Sequence, residues 1–243
     1  MEFRGSENVS QAADSDGSAL VVAAHPDDEV LGCGGTLARM AGRGHPVHVL
    51  LLADGETSRG AGARPQGERN RMAKRRKAAE AAGKILGLAS LQLLDLPDNR
   101  LDTVALLDVV RQVETVVKRR RPAIVMTHHA GDVNIDHRVV HDAVIAACRP
   151  QPGHSVRTLL FFEVPSSTEW RPPSSAQPFD PNWFVDISTT LPKKLRALEA
   201  YEAEMRPFPH PRSVEAVKAL AKWRGASMGM VAAEAFVLGR RLD

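Results

Sequence analysis

Between positions 20 and 164, short apolar runs alternate with stretches of helical spacing, and no other feature restricts the fold as much. The runs fall at 20–24, 46–53, 91–96, 123–128 and 159–164. They are Val-, Leu- and Ala-rich throughout rather than alternating with polar residues, as expected of strands buried on both faces of a parallel sheet. The segments 28–43, 69–86, 103–121 and 137–148 read as the helices between them; in 103–121, Val104, Leu107, Val110, Val113 and Val117 keep helical intervals. Gly87 closes the second of these as a C-cap. The pattern predicts an α/β fold with a mainly parallel sheet between helices. Beyond 164 it loosens: a Pro/Ser-rich loop at 165–178, a strand at 183–187, an amphipathic helix at 191–205, a Pro-rich break at 206–212 and helices over roughly 213–235.

The 243 residues suffice for one large domain, taken as 19–243, behind a flexible leader at 1–18 that lacks the apolar core of a secretory signal. No apolar run approaches the ~20 residues that span a bilayer, which argues against a membrane protein. Two cysteines, Cys33 and Cys148, fit a reducing compartment and a cytoplasmic location. The net charge of +3 is too small to argue for nucleic acid. The basic runs at 64–77 and 118–121 lack interleaved aromatics, so they read as solvated helix faces or subunit contacts.

The chemistry concentrates where the first run stops, at His25-Pro26-Asp27-Asp28-Glu29. Acids suit the first turn of a helix, which explains one or two of them but neither His25 nor the crowding. Strand ends on the carboxyl edge of an α/β sheet are where such folds place their sites. His25 and Asp28, three apart where strand becomes helix, can point at one spot. A metal needs a third donor, and 126–141 is the second suspicious segment: it also follows a strand end and holds four of the nine histidines, His128, His129, His137 and His141.

The His25–Glu29 motif resembles the AHPDDE signature of the zinc-dependent PIG-L/LmbE family of N-deacetylases, and the resemblance continues through Gly34-Gly35, Asp54-Gly55-Glu56, Leu96-Pro97-Asp98 and Asn134-Ile135-Asp136-His137. It implies a Rossmann-like α/β fold with the sheet flanked by helices on both faces. It also implies a hydrolase that removes an N-acetyl group from an amino sugar or its conjugate, a small-molecule substrate. Carried over by position, His25, Asp28 and His137 resemble the Zn2+ ligands, in a donor set that other divalent ions also accept. Asp27 is similar to the general base for a zinc-activated water, and Asp136 to the acid that orients an imidazole. Family members often form trimers or hexamers, so a homo-oligomer is expected.

Many members carry a histidine three residues before the last ligand, where this chain has Asn134, which can donate to an oxyanion but cannot carry a proton. Either Asp27 does all the proton transfer or another histidine assists, with His210 as the candidate. Arg75 sits where members often place an arginine; with Asp98 it holds sugar hydroxyls or a phosphate, or else it is one of several exposed bases. His128 and His129 line the pocket or bond locally. His141 reads as a support or helix-surface residue, because Arg138 stands where an H-E-x-x-H site needs its Glu. The competing readings are a nucleotide-binding oxidoreductase and a sugar-binding protein of the same fold without hydrolytic activity. The first is weak, since Gly32-Cys33-Gly34-Gly35 puts Leu37 where the dinucleotide finger needs its third glycine.

Overall fold

The computed structural model describes residues 17–53 and 66–243. Most of the expected leader and the Asp54-Gly55-Glu56 motif lie outside the described residues. Seven strands, β1 (Ala19–Ala23), β2 (Val47–Ala53), β3 (Ser90–Leu96), β4 (Ile124–His128), β5 (Thr158–Phe162), β6 (Trp183–Asp186) and β7 (Ala233–Arg241), form one sheet in the order β3-β2-β1-β4-β5-β7-β6. The first five run parallel, and β7 lies antiparallel between β5 and β6. Among the described residues six α-helices accompany them: α1 (Asp28–Gly42), α2 (Gln66–Leu86), α3 (Leu106–Arg120), α4 (Ile135–Ala147), α5 (Leu191–Glu199) and α6 (Val214–Ala226).

The uniformly apolar first strand is explained by its position. Ala19, Val21 and Ala23 join a core with Leu37, Leu86 and Leu198, from α1, α2 and α5. Leu20 and Val22 point the other way, to Val109 and Val113 of α3 and Val140 and Val144 of α4. Burying one such Val or Leu is worth ~1.5–3 kcal/mol, so both faces reject a polar side chain. Polar groups therefore gather past the strand ends. Chain order reverses between β1 and β4, since β2 and β3 extend one side and β5 the other. The crevice outside the carboxyl ends of that pair is the natural site of an open α/β sheet.

Helix α1 is broken. Cys33 leaves helical geometry at φ −145°, ψ 17°, next to Gly32, where a Cβ would come within 2.3 Å of the Phe162 ring. The N–H groups freed by the break, on Gly35 and Thr36, donate to the Glu234 carboxylate at 2.8 and 2.7 Å. Lys194 Nζ donates to the Leu31 carbonyl at 2.8 Å and to Glu234 at 2.6 Å. One buried ion pair from α5 and β7 thus caps both halves of the helix.

The last third differs from the sequence expectation. The amphipathic helix ends at Glu199 instead of 205, in a run of turns. Helix α6 stops at Ala226, and 233–241 is a strand rather than the tail of a helix. Gly229, at φ 72°, turns the chain back, and Ala233–Phe236 are buried on both faces, so no alternation marked them. Among the described residues, no helix is long and apolar enough to cross a membrane.

Candidate active site

His25 leaves β1 with its N–H donating to Asp28 Oδ2 at 2.9 Å. That oxygen lies 3.3 Å from His25 Nδ1 and 3.2 Å from His137 Nε2, which α4 brings in beyond β4. One donor atom from each of His25, Asp28 and His137 lies within 4.8 Å of the others, and all three residues are buried. The outer nitrogens are held by carboxylates. His25 Nε2 is 3.0 Å from Asp136 and 3.0 Å from Asp98, while His137 Nδ1 is 3.1 Å from Asp132. Protons on those outer nitrogens leave both inner lone pairs facing Asp28.

The set fits a divalent metal. Asp28 Oδ1 and His137 Nε2 are buried with no hydrogen-bond partner, a costly state for atoms that have no other use. Two imidazoles and a carboxylate are the three-ligand donor set of a catalytic site with a position to spare. A second grouping, His25, Asp98 and Asp136, is less apt, because Asp136 already accepts the N–H groups of Asn99 at 2.6 Å and Leu101 at 2.9 Å.

The electrostatics agree. Burial disfavours charge on His25, yet hydrogen bonds donated by its ring to Asp136, Asp28 and Asp98 hold it well above its usual value. His137 is raised to about 9 against the same burial by Asp28 and Asp132. Burial works against the charge on Asp28 too, but His137 and His25 keep its pKa well below the carboxylate range. The cluster as a whole draws positive charge.

Beside it stands Asp27, at φ 114°, a left-handed conformation strained for any residue with a side chain. Burial pushes its carboxyl up to about 6, and Arg212, donating from Nη1 at 2.8 Å, opposes that rise. Its own N–H donates to Glu29 Oε2 at 3.0 Å. Burial pushes Glu29 up to about 8, and Tyr201 donates its hydroxyl to the other oxygen at 2.6 Å.

The profile of the family described as PIG-L: GlcNAc-PI de-N-acetylase matches residues 20–148, the span that carries every residue of the cluster. This chain belongs to the PIG-L family. The chain is 28% identical over 207 residues to the diacetylchitobiose deacetylase of Thermococcus kodakarensis, covering 76% of this chain and 69% of that one. It is 32% identical over 197 residues to a 4-oxalmesaconate hydratase of Pseudomonas putida, covering 75% and 72%. Among solved structures, a conserved protein of Thermus thermophilus superposes with a TM-score of 0.71 at 30% identity, over 93% of this chain and 96% of that one.

Of the residues singled out in the sequence, the PIG-L fold brings His25, Asp27, Asp28, Asp98, Asp136 and His137 into one group. Asp98 lies against His25, with Oδ1 3.0 Å from its Nε2. Arg75 pairs with Glu204 at 2.7 Å. Asn134 caps α4, accepting from Asp136 N at 2.8 Å, and its amide donates to Asn99 at 3.2 Å. His129 Nε2 is 3.0 Å from the Gln177 carbonyl. The His210 ring meets Trp170 edge-on, and its Nδ1 accepts the Arg212 N–H at 3.1 Å. His128 accepts the Ala24 N–H at 2.9 Å and stacks on His137, with ring centroids 3.8 Å apart. His141 Nδ1 lies 2.9 Å from the His128 carbonyl.

Sequence reasoning missed four supports: Asp132, the Ser167 and Thr168 hydroxyls that donate to it, and Arg212. Asp132 carried a signal, an acid two residues before the helix-capping Asn134. The others carried none. The nucleotide reading is not favoured, because the first β–α turn is filled by the carboxylates of Asp27, Asp28 and Glu29 and would repel a pyrophosphate.

Proposed function

We propose that this protein is a metal-dependent N-deacetylase that hydrolyses the acetamide of an amino sugar or amino-sugar conjugate. The observation that carries the reading is the buried His25–Asp28–His137 set with partnerless ligand atoms, next to a strained and buried Asp27. The diacetylchitobiose deacetylase among its relatives supports an amino-sugar substrate. His25, Asp28 and His137 would hold the metal, with zinc as the preferred ion for two imidazoles and one carboxylate. Such an ion supplies Lewis acidity at the acetamide carbonyl and makes water easier to deprotonate.

The chain's own residues do the rest. Asp27 takes the proton from the attacking water and returns one to the departing amine. Its buried setting favours proton transfer near neutrality, since a carboxyl with a pKa of about 6 is a stronger base than an exposed one. Asp136, Asp98 and Asp132 hold the two imidazoles in one tautomer and one orientation. Asn134 caps α4, which carries Asp136 and His137, and so fixes the helix start on which both depend.

The test is elemental analysis of the purified protein together with acetate release from N-acetylglucosamine derivatives, with Asp27→Asn as control. About one zinc per chain and turnover cut to a small residual rate in the variant is the expected result. Failure to bind any divalent metal overturns the reading. The hydratase relative supplies a second reading, addition of water without amide cleavage. Metal binding with no acetate release from any N-acetyl sugar would favour it.

A further inference from the structure

Asp27 is the one residue of the cluster whose backbone is strained, and a strained carboxylate stays in place only if its surroundings hold it. Its amide is anchored by Glu29, itself bonded to Tyr201. Its carboxylate is anchored from the opposite end of the chain: Arg212 Nη1 donates to Asp27 Oδ2 at 2.8 Å across 185 residues.

Arg212 is built into position. It immediately precedes Ser213, whose side chain caps α6 by accepting the Ala216 N–H at 3.0 Å. Its own N–H is taken by His210, and its Nε donates to Ser166 Oγ at 2.7 Å. Ser166 sits at φ 68°, with its N–H donating to Glu169 at 2.7 Å. The two residues that follow, Ser167 and Thr168, donate their hydroxyls to Asp132, the partner of His137. One turn thus reaches the site twice, once through Asp132 to a ligand imidazole and once through Arg212 to Asp27.

We propose that Arg212 is the positioning residue for Asp27: it holds Oδ2 so that Oδ1 faces the reacting water, and it ties the carboxylate to the 166–168 turn. The assignment rests on the deacetylase reading for its kinetic consequence, and on the geometry alone for the contact. A guanidinium suits the task because its rigid fork serves Asp27 and Ser166 at once, whereas an ammonium is a point charge on a flexible stem.

The experiment compares Arg212→Met and Arg212→Lys with the wild type, alone and combined with Asp27→Asn, with metal content measured in each. A displaced base lowers kcat by about 10–100-fold and leaves KM unchanged. Arg212→Met should show that loss at full metal content, Arg212→Lys should recover part of it, and Arg212→Met should cost nothing further in the Asp27→Asn background. A raised KM at constant kcat would make Arg212 a substrate contact and overturn the assignment. So would a kcat within twofold of wild type, or a full loss repeated in the Asp27→Asn background. Thermal midpoints of the same proteins form a cycle independent of turnover. Coupled midpoints establish the contact even if the wild type releases no acetate, an outcome that would overturn the deacetylase reading alone. Additive midpoints overturn the contact itself. Should Arg212→Met fail to fold, Arg212→Lys completes both cycles.

Discussion

Asp132 Oδ2 stands 3.1 Å from His137 Nδ1, and the same carboxylate receives the hydroxyls of Ser167 and Thr168 and the Asn134 N–H. Burial opposes its charge, but hydrogen bonding to His137 and Ser167 and the charge on His137 bring its pKa down to about 2. It is therefore an anion throughout the working range and keeps a proton on His137 Nδ1, so that the proton a metal would displace is the one on the inner nitrogen. Replacing a group that orients a ligand imidazole weakens metal binding by about 10–100-fold. Asp132→Asn should show that loss in a chelator-competition titration while the fold persists. An unchanged affinity would remove Asp132 from the metal site.

The Lys194–Glu234 pair makes a stability prediction. Both side chains are buried, and Glu234 also receives Gly35 and Thr36. Glu234→Gln keeps an oxygen for the helix cap but strands the ammonium, which typically costs about 3–5 kcal/mol. Urea unfolding should register most of that. Adding Lys194→Met to the same variant should restore part of it, since the uncompensated charge is then gone.

Gly32 sits where a methyl group would press on Phe162, at 2.3 Å from its ring. Overpacking of this kind costs about 1–3 kcal/mol. Gly32→Ala should lower the thermal midpoint, and Phe162→Leu in the same chain should recover part of the loss. If the two losses merely add, the ring is not what the methyl meets.

Both cysteines are free and buried. Burial pushes the Cys148 thiol up to about 12 and Cys33 well above its usual value. Only the thiolate alkylates, and at pH 8 a group with a pKa near 12 is ionised to roughly one part in 10,000. Native protein should resist iodoacetamide at pH 8, with a rate rising about tenfold per pH unit, and should take up two equivalents once unfolded. Rapid labelling of the folded chain would mean that one of the thiols is reachable.

The parallel half of the sheet was legible because β1, β2, β4 and β5 are buried on both faces and hence mostly apolar. His25, Asp28 and His137 were legible because they adjoin strand ends and stand in quotable motifs. β7 was not, because its buried half carries Glu234, and a charged residue in an apolar run reads as helix until its partner Lys194 is seen. Arg212 and Ser167 were not legible either. Their roles arise from contacts with Asp27 and Asp132 across 185 and 35 residues, and no local pattern encodes such distances.

The adjacency of β1 and β4 also sets an order of events. Val21 pairs with Met126, and Asp28 meets His137 only because those strands lie side by side. A chain emerging from the ribosome carries the first two proposed ligands long before it carries the third, with β2, α2, β3 and α3 to be made between them. Until α4 has emerged and β4 has paired with β1, a histidine and an aspartate near the amino end are all that a cation can find, and two donors hold it poorly. An ion held by this set would therefore be acquired late, by a sheet whose centre is already closed, rather than serving as the seed around which the chain folds.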